Sequence, residues 1–359
     1  MNRQVPVYFW EEPVFSDEPD PRLAVVRGDD GVTVLTPTLH HGLSAPAVIS
    51  TLRTLLDDWL DRQKITRFMA WYYTPMALAY ASHLVAEVVI YDCMDELSAF
   101  QGAPPELIER EQQLFELADV VFAGGASLYE SKRSQHRNVY LFPSSIDGKH
   151  FAAARKPLTD PVDQAAVPHP RIGFFGVLDE RLDRELLRAA AAMRPEWHFV
   201  LVGPVVKIEP SDLPSAPNIH YLGGKSYTEL PAYLANWNVA MLPFARNAST
   251  KFISPTKTPE YLSAGKPVVS TPIRDVVTPY GDGGLVRIAD TPEAFVEALE
   301  ASLQPQSAEW LGTVDEYLKS TSWDKTFQEM LAAIKAVSPD RSVPASAGLA
   351  TEKRSGSHV

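Results

Sequence analysis

Residues 254–271 read SPTKTPEYLSAGKPVVST, and they form the most informative stretch of the sequence. A β-rich run, VAMLPF (239–244), precedes this stretch, which opens a helical pattern at 258–264 and ends in another strand candidate, PVVSTP (267–272). A strand, a polar loop, a helix and a second strand in this order indicate a βα unit of a parallel sheet. Ligands bind at the carboxyl ends of the strands in such sheets, which makes the polar loop a candidate binding site.

The same alternation extends over the second half of the chain. Its strand candidates are RIGFFGVL (171–178), HFVLVGP (198–204), NIHYLGG (218–224), VAMLPF (239–244), PVVSTP (267–272) and LVRIA (285–289). Its helical candidates are 183–194, 227–237, 258–264 and 292–303, and a last one lies at about 322–337. This alternation predicts a Rossmann-like α/β domain.

The first half shows a less regular version of the pattern. It begins with the strand candidate VPVYFW (5–10), a hairpin-like pair (23–26 and 32–35) and an amphipathic helix (46–63). Further strand candidates lie at 68–73, 88–93, 120–125 and 139–144, separated by helical candidates at 75–84, 104–118 and 127–135. These elements predict a second parallel sheet.

Length and a break in the pattern predict two domains. A chain of 359 residues exceeds what one hydrophobic core usually organises, and the polar, proline-bearing segment at about 152–170 lacks periodicity. The tail after the last helix is too polar to order itself. We therefore expect an N-terminal domain over 1–155, a linker over 156–170, a C-terminal domain over 171–320, a C-terminal helix over 321–337 and a disordered tail over 338–359.

Composition narrows the class of protein. The net charge of −12 at pH 7 disfavours binding to nucleic acid. The single cysteine, Cys93, excludes an intramolecular disulfide framework and suits a reducing compartment. No apolar run reaches the length of a membrane-spanning helix, and the first residues do not form a signal peptide. We expect a cytoplasmic protein.

The loop before the helix at 258–264 carries groups suited to a diphosphate. Lys257 would supply positive charge, hydroxyls and amides of Ser254, Pro255 and Thr256 would surround the phosphates, and Glu260 could accept both hydroxyls of a ribose. The alternative is that Lys257 and Glu260 form a surface pair and that Ser254 and Thr256 only cap the helix.

The run SPTKTPEYLSAGKPVVST, followed by IRDVV, resembles the donor-site signature of group 1 glycosyltransferases, the retaining enzymes of family 4 and their relatives. This resemblance covers nearly all of 171–337. It implies the GT-B fold, in which two Rossmann-like domains face each other across a cleft, the C-terminal domain binds the nucleotide sugar, and the C-terminal helix packs back toward the N-terminal domain. Lys257 would contact phosphate and Glu260 the donor ribose. The family usually has an acidic residue where Phe252 stands, so recognition of the sugar ring must use other groups.

The same resemblance adds residues outside this loop. Arg181 and Lys207 would flank the phosphates, and the loop from Gly223 through Lys225 to Tyr227 would lie against the nucleobase. The alternative for the two cations is that they are solvated surface charges.

In the first half, YYTPMAL (72–78) and YDCMDELSAF (91–100) resemble an uncharacterised bacterial subgroup of the family. Asp92 and Asp95 follow a strand candidate, and we expect both to face the cleft from the acceptor side. Asp95 would orient the donor sugar or an acceptor hydroxyl, or act as general base in an inverting enzyme. The alternative is that one aspartate caps the next segment.

Other signals are weaker. Gly124, Gly125 and Ser127 could approach a sugar or phosphate, or form an ordinary turn and helix cap. The histidines lack the spacing of metal ligands, and no metal is expected. The resemblance also implies that the N-terminal domain is shortened by about one strand and helix. Such a loss would expose a sheet edge or an apolar face, through which the chain could form oligomers.

The sequence thus favours a glycosyltransferase that moves a sugar from a UDP- or GDP-sugar to a saccharide or lipid-linked acceptor in envelope or exopolysaccharide assembly, with retention of configuration. This function is compatible with peripheral contact at the inner face of the membrane. Two alternatives are a UDP-sugar epimerase of GT-B fold and a non-catalytic subunit that binds nucleotide sugars. No cofactor is expected beyond the donor itself.

Overall fold

The computed structural model describes residues 5–29 and 31–337. The tail over 338–359, for which we expect disorder, lies outside the described residues. The strands are β1 (Val7–Trp10), β2 (Val14–Ser16), β3 (Arg22–Arg27), β4 (Val32–His40), β5 (Met69–Tyr72), β6 (Val88–Cys93), β7 (Val120–Ala123), β8 (Val139–Leu141), β9 (Arg171–Phe175), β10 (His198–Val202), β11 (Ile219–Tyr221), β12 (Val239–Leu242), β13 (Val268–Ser270) and β14 (Arg287–Ile288). The helices are α1 (Ala45–Gln63), α2 (Leu78–Ala81), α3 (Glu106–Leu117), α4 (Ala126–Lys132), α5 (Gly148–Ala152), α6 (Arg184–Met193), α7 (Leu230–Ala235), α8 (Lys257–Ser263), α9 (Arg274–Val276), α10 (Pro292–Ser302), α11 (Ala308–Leu318) and α12 (Trp323–Val337).

The second half is built on a parallel sheet with the strand order β11-β10-β9-β12-β13-β14. Strands β9 and β12 are buried along their whole length, which is why their sequences are nearly continuous apolar runs. The order of the strands reverses between β9 and β12. A crevice forms at the carboxyl ends of such a pair, because the connections that follow the two strands leave in opposite directions. The predicted α/β architecture is confirmed.

The first half contains two smaller sheets. Strands β5, β6, β7 and β8 pair in parallel in that order, as expected. In the other sheet β3 pairs with β4 in antiparallel fashion, which confirms the predicted hairpin. Strands β1 and β2 follow one another along the opposite edge of β4, and both run parallel to it.

The sheet around β4 carries exposed apolar side chains. On β3, Val25 is 52% exposed and Val26 is 62% exposed. Val14 and Phe15 on β2 are also exposed. The shortening of the N-terminal domain and the assembly state of the protein both remain predictions.

The sheet of β5 to β8 is covered by helices from opposite ends of the chain. On one face Leu114 and Phe115 of α3 pack against Tyr91 and Val121. On the other face the last helix, α12, buries Met330, Leu331 and Ile334 against Ile90 and Phe122. The C-terminal helix is therefore part of the core of the N-terminal half.

The segment 156–170 has no strand or helix, yet it packs firmly against the C-terminal half. Gln164 is fully buried, accepts a hydrogen bond from Trp237 Nε1 at 2.8 Å and donates one to Asp160 Oδ1 at 2.9 Å. Asp160 in turn forms an ion pair with the buried Arg171 at 2.6 Å. Among the described residues, no helix is both long and apolar enough to cross a bilayer.

Candidate functional site

Two loops at the carboxyl ends of β9 and β12 form one wall of the crevice. The backbone N–H of Ala245 donates to Arg181 O at 2.8 Å, and that of Asp183 donates to Pro243 O at 2.8 Å. Leu182 and Phe244 form a β-bridge between the same loops. These contacts fix the loop that follows β9 against the loop that leads to α8.

Lys257, the first residue of α8, lies over the backbone of Gly176 at the end of β9. Gly176 has φ +149°, a conformation that favours glycine, and a Cβ added there would displace the end of the Lys257 side chain. Burial lowers the pKa of Lys257, and the charge of Glu260 opposes this effect. The ammonium also interacts electrostatically with Arg181, Asp179 and Asp95.

Glu260 lies one turn further along α8 and is half-buried. Burial raises the pKa of Glu260 to about 7, although the nearby Lys257 lowers it. Thr256 is the N-cap residue of α8, but its side chain accepts no backbone N–H of the helix. The structure therefore shows neither an exposed pair of Lys257 and Glu260 nor capping of α8 by the Thr256 side chain.

Arg181 is oriented by a buried partner that precedes it in the same loop. Its Nε donates to both carboxylate oxygens of Asp179 at 3.0 Å, and its Nη2 donates to Asp179 Oδ2 at 2.7 Å. Asp179 is buried, whereas the Arg181 side chain is 26% exposed. The guanidinium is thus held in one orientation with part of its surface free.

Asp95 reaches this group of charges from the N-terminal half. Burial raises the pKa of Asp95, and the positive charges of Arg181 and Lys257 oppose that rise. The structure therefore brings Asp95, Arg181 and Lys257 together. Asp95 caps neither of the two helices that follow it, since their N-cap residues are Glu96 and Pro105.

Asp92 does not join this group, which corrects the expectation that both aspartates face the cleft. Asp92 lies inside β6 instead of after it, and its buried Oδ2 accepts a hydrogen bond from Trp71 Nε1 at 3.0 Å. Burial raises the pKa of Asp92 to about 6, and the bond from Trp71 opposes this shift.

The loop after β6 places Phe100 against Arg181 and Lys207, two of the cations predicted to bind phosphate. The Arg181 guanidinium lies 5.5 Å from the centre of the ring and Lys207 Nζ lies 4.8 Å from it, both within the range of cation–π attraction. Nearby, the Gln101 N–H donates to Glu180 Oε1 at 3.4 Å. The ring is therefore part of the contact between the two halves.

Phe252 also joins the two halves. It packs against the apolar cluster of the N-terminal half that contains Leu114 and Leu128. Phe252, at the position where the family usually has an acidic residue, thus makes an apolar contact between the two halves.

The loop at 124–127 contacts protein from the other half. Asp275 Oδ1 accepts the N–H of Ser127 at 3.0 Å. A Cβ added to Gly125 would lie 2.7 Å from Ser254 Cβ and would also collide with Asp275. The structure thus shows a capped start of α4 at Gly125 and Ser127, and the acceptor is the carboxylate of Asp275 from the other half.

The loop from Gly223 to Tyr227 lies beside the crevice with its lysine turned away. Lys225 Nζ forms an ion pair with Asp163 at 2.8 Å and lies 5.9 Å from the ring centre of Tyr233. The Tyr227 ring stacks on His150, with ring centres 4.3 Å apart. Lys225 therefore contributes to holding the 156–170 segment.

Comparison with known proteins identifies the second half of the chain. The family model described as glycosyl transferases group 1 matches residues 169–304, which include Arg181, Lys257 and Glu260. Over these residues the chain is similar to group 1 glycosyltransferases. A protein of Bacillus subtilis (strain 168) with the provisional name teichuronic acid biosynthesis glycosyltransferase is 23% identical to this chain over 289 residues, covering 74% of this chain and 71% of that protein.

Solved structures show that the chain has the GT-B fold. Sucrose-phosphate synthase from Thermosynechococcus elongatus aligns with a TM-score of 0.67 at 15% identity, covering 92% of this chain and 88% of that one. The catalytic domain of starch synthase IV from Arabidopsis thaliana, bound to ADP and acarbose, aligns with a TM-score of 0.59 at 11% identity, covering 90% of each chain.

Several residues of the crevice were not predicted. Asp179 could have been predicted from the sequence, because an acidic residue two positions before a candidate arginine can orient that arginine. Phe100 and Asp275 carry no local signal, since their partners lie in the opposite half of the chain. In the described part of the chain, no three His, Cys, Asp or Glu side chains lie close enough together to hold a metal ion, and the role of metals remains a prediction.

Proposed function

We propose that this glycosyltransferase moves a sugar from a nucleotide-diphosphate donor, a UDP- or GDP-sugar, to a saccharide or lipid-linked acceptor during assembly of a cell-envelope polysaccharide. The observation that carries the proposal is the meeting of Lys257 and Arg181 with Asp95 at the crevice between the halves. The relative named for teichuronic acid biosynthesis supports the choice of an envelope polysaccharide.

In this proposal the donor lies along the start of α8. Lys257 and Arg181 neutralise the diphosphate, and Arg181 is pre-oriented by Asp179. Glu260 accepts hydrogen bonds from the ribose hydroxyls, and it does so best when ionised. Tyr227, stacked on His150, lies on the side of the nucleobase.

The transfer step breaks the bond between the anomeric carbon and the diphosphate oxygen while the acceptor oxygen bonds to the same carbon. In the retaining course the proton of the acceptor hydroxyl passes to the departing phosphate oxygen. Lys257 and Arg181 stabilise the charge that develops on this leaving group, so catalysis depends mainly on electrostatic preorganisation. Asp95, which approaches from the acceptor side, orients the acceptor hydroxyl.

The first test measures the thermal unfolding midpoint of the purified chain with UDP, GDP, ADP, dTDP and CMP. One nucleotide is expected to raise the midpoint through binding to the folded state, and Lys257→Ala and Glu260→Ala should each abolish the rise. Lys266→Ala is the matched control, because Lys266 lies just beyond α8 and donates only to the backbone oxygens of Ala235 and Trp237. If no nucleotide raises the midpoint of the wild-type chain, the proposal is overturned.

A second experiment separates transfer from epimerisation. The nucleotide sugar selected by the first test is incubated with and without oligosaccharide acceptors, and products are followed by NMR. We expect that the nucleoside diphosphate is released only when an acceptor is present, and that the product keeps the anomeric configuration of the donor. Conversion of the donor sugar without an acceptor would favour the epimerase instead. Contact with a membrane surface and formation of oligomers remain predictions.

A further inference from the structure

The loop that follows β6, residues 94–101, carries both groups that the N-terminal half presents to the cations. Asp95 interacts with Arg181 and Lys257, and Phe100 contacts Arg181. This loop contains only a short turn of 3-10 helix, at 97–99. Its position must therefore be fixed by side chains, since regular backbone hydrogen bonding does not fix it.

A buried cluster of charges anchors this loop to the interior. Lys132 Nζ, at the end of α4, lies 2.8 Å from Glu96 Oε2 and 2.7 Å from Glu111 Oε2. The three side chains are only 4%, 14% and 10% exposed. Tyr91 Oη donates to Glu111 Oε1 at 2.8 Å, and Ser98 Oγ donates to Glu96 Oε1 at 2.8 Å. The loop is thus tied to β6, α3 and α4 through one ammonium group.

A buried cluster of charges contributes little net free energy to the stability of a fold. Burying one ammonium with two carboxylates costs desolvation energy, and well-packed apolar side chains of similar volume often stabilise a core equally well. Its hydrogen bonds have a fixed direction, however, so they define one geometry for Glu96 and for its neighbour Asp95. None of the three charged groups has a part in the proposed transfer step.

We propose that Lys132 is a positioning residue: by binding Glu96 within the buried cluster, it holds the 94–101 loop so that Asp95 and Phe100 meet Arg181 and Lys257. This inference rests on the proposed function, because it assigns Lys132 a part in the transfer reaction. Lys132 acts through Glu96 and touches neither donor nor acceptor.

The test compares Lys132→Met with Arg171→Met, which removes a buried cation and its ion pair with Asp160 in the other half. For Lys132→Met we expect kcat to fall about 10- to 100-fold, as for a misplaced reacting group, while the nucleotide Kd stays within about 2-fold of wild type. Amide hydrogen exchange should accelerate in residues 94–101. The control should lower the unfolding midpoint with kcat within about 3-fold of wild type and unchanged exchange in this loop.

Glu96→Gln provides a second variant in case Lys132→Met does not fold. It keeps the shape of the side chain and removes the charge that Lys132 binds, so the same loss of kcat and faster exchange are expected. Unchanged exchange in 94–101, or a kcat no lower than in the control, overturns the positioning role. Absence of sugar transfer by the wild-type chain overturns the proposed function instead, and the exchange measurement distinguishes the two failures.

Discussion

The two halves of this molecule bury their sheets in different ways. In the C-terminal half, helices cover a single doubly wound sheet whose central strands are wholly buried. In the N-terminal half, the described strands are divided between two smaller sheets, one of which leaves apolar side chains exposed, and a helix from the far end of the chain completes the core. Local sequence thus determines the fold of the C-terminal half, whereas distant segments complete the fold of the N-terminal half.

The largest expected effect lies in the C-terminal half, at Gly176. Gly176→Ala forces a Cβ into Lys257 at a φ that disfavours side chains, so transfer should fall by at least about 100-fold and nucleotide stabilisation should disappear. Gly284→Ala is the matched control, because Gly284 also has positive φ, at +69°, but a Cβ there meets no neighbour within 4 Å. Steady-state kinetics would measure the loss of transfer, and thermal unfolding would measure the loss of nucleotide stabilisation. Equal losses in the two variants would contradict the prediction.

The dependence of the N-terminal half on α12 can be tested at Ile334. Ile334→Ala leaves a cavity against β6 and β7, and the free energy of unfolding should fall by about 2–5 kcal/mol. Lys335→Ala alters the exposed neighbour on the same helix and should change it by less than about 0.5 kcal/mol. Urea unfolding measures both, and a small effect of Ile334→Ala would show that the N-terminal core does not need this helix.

Asp95 and Asp92 offer a contrast within the N-terminal half. Asp95→Asn removes the charge that faces Arg181 and Lys257, so kcat should fall about 10- to 100-fold while nucleotide Kd is nearly unchanged. Asp92→Asn keeps the hydrogen bond from Trp71 and should leave kcat close to wild type. Steady-state kinetics at pH 7 would decide, and the reverse ranking would reinstate Asp92 in the cleft.

The smallest predicted effect is a pH dependence at Glu260. Because burial raises its pKa from 4.5 to about 7, the folded chain holds a proton that the unfolded chain has released between these values. The contribution of Glu260 to the free energy of unfolding therefore decreases as pH rises from about 4.5 to 7. Nucleotide affinity should rise over the upper part of this range as the carboxylate ionises.

Glu260→Gln should remove both trends. Urea unfolding and nucleotide titration at pH 5, 6, 7 and 8 would measure them. A wild-type affinity that does not change with pH would show that ionised Glu260 does not bind the ribose.

Sequence patterns predicted most of the fold because burial on both faces leaves a continuous apolar run in each central strand. The strand candidates of the C-terminal half all contain the strands that form. Three helices, α5, α9 and α11, were not predicted. In α11, Trp310, Val314 and Tyr317 recur at helical spacing, but the exposed Gly312 interrupts the pattern.

The candidate site was predictable only where one loop contains the whole signal. Lys257 and Glu260 lie one turn apart on α8, so the sequence places them together. Asp92 lies inside β6, whose bounds agree with the strand candidate at 88–93, but its partner Trp71 lies on the neighbouring strand β5, and the sequence around Asp92 does not indicate that contact. Lys225 binds Asp163, with 61 residues between them in the chain, a contact that no local pattern encodes.

The position of α12 has a consequence for how the molecule is made. During synthesis the N-terminal half leaves the ribosome first, but Ile90 and Phe122 remain uncovered until residues 330–334 emerge. The nascent first half thus carries an apolar surface through most of translation, which exposes it to aggregation and to chaperones. The C-terminal half can complete its own sheet before the earlier half acquires its final core.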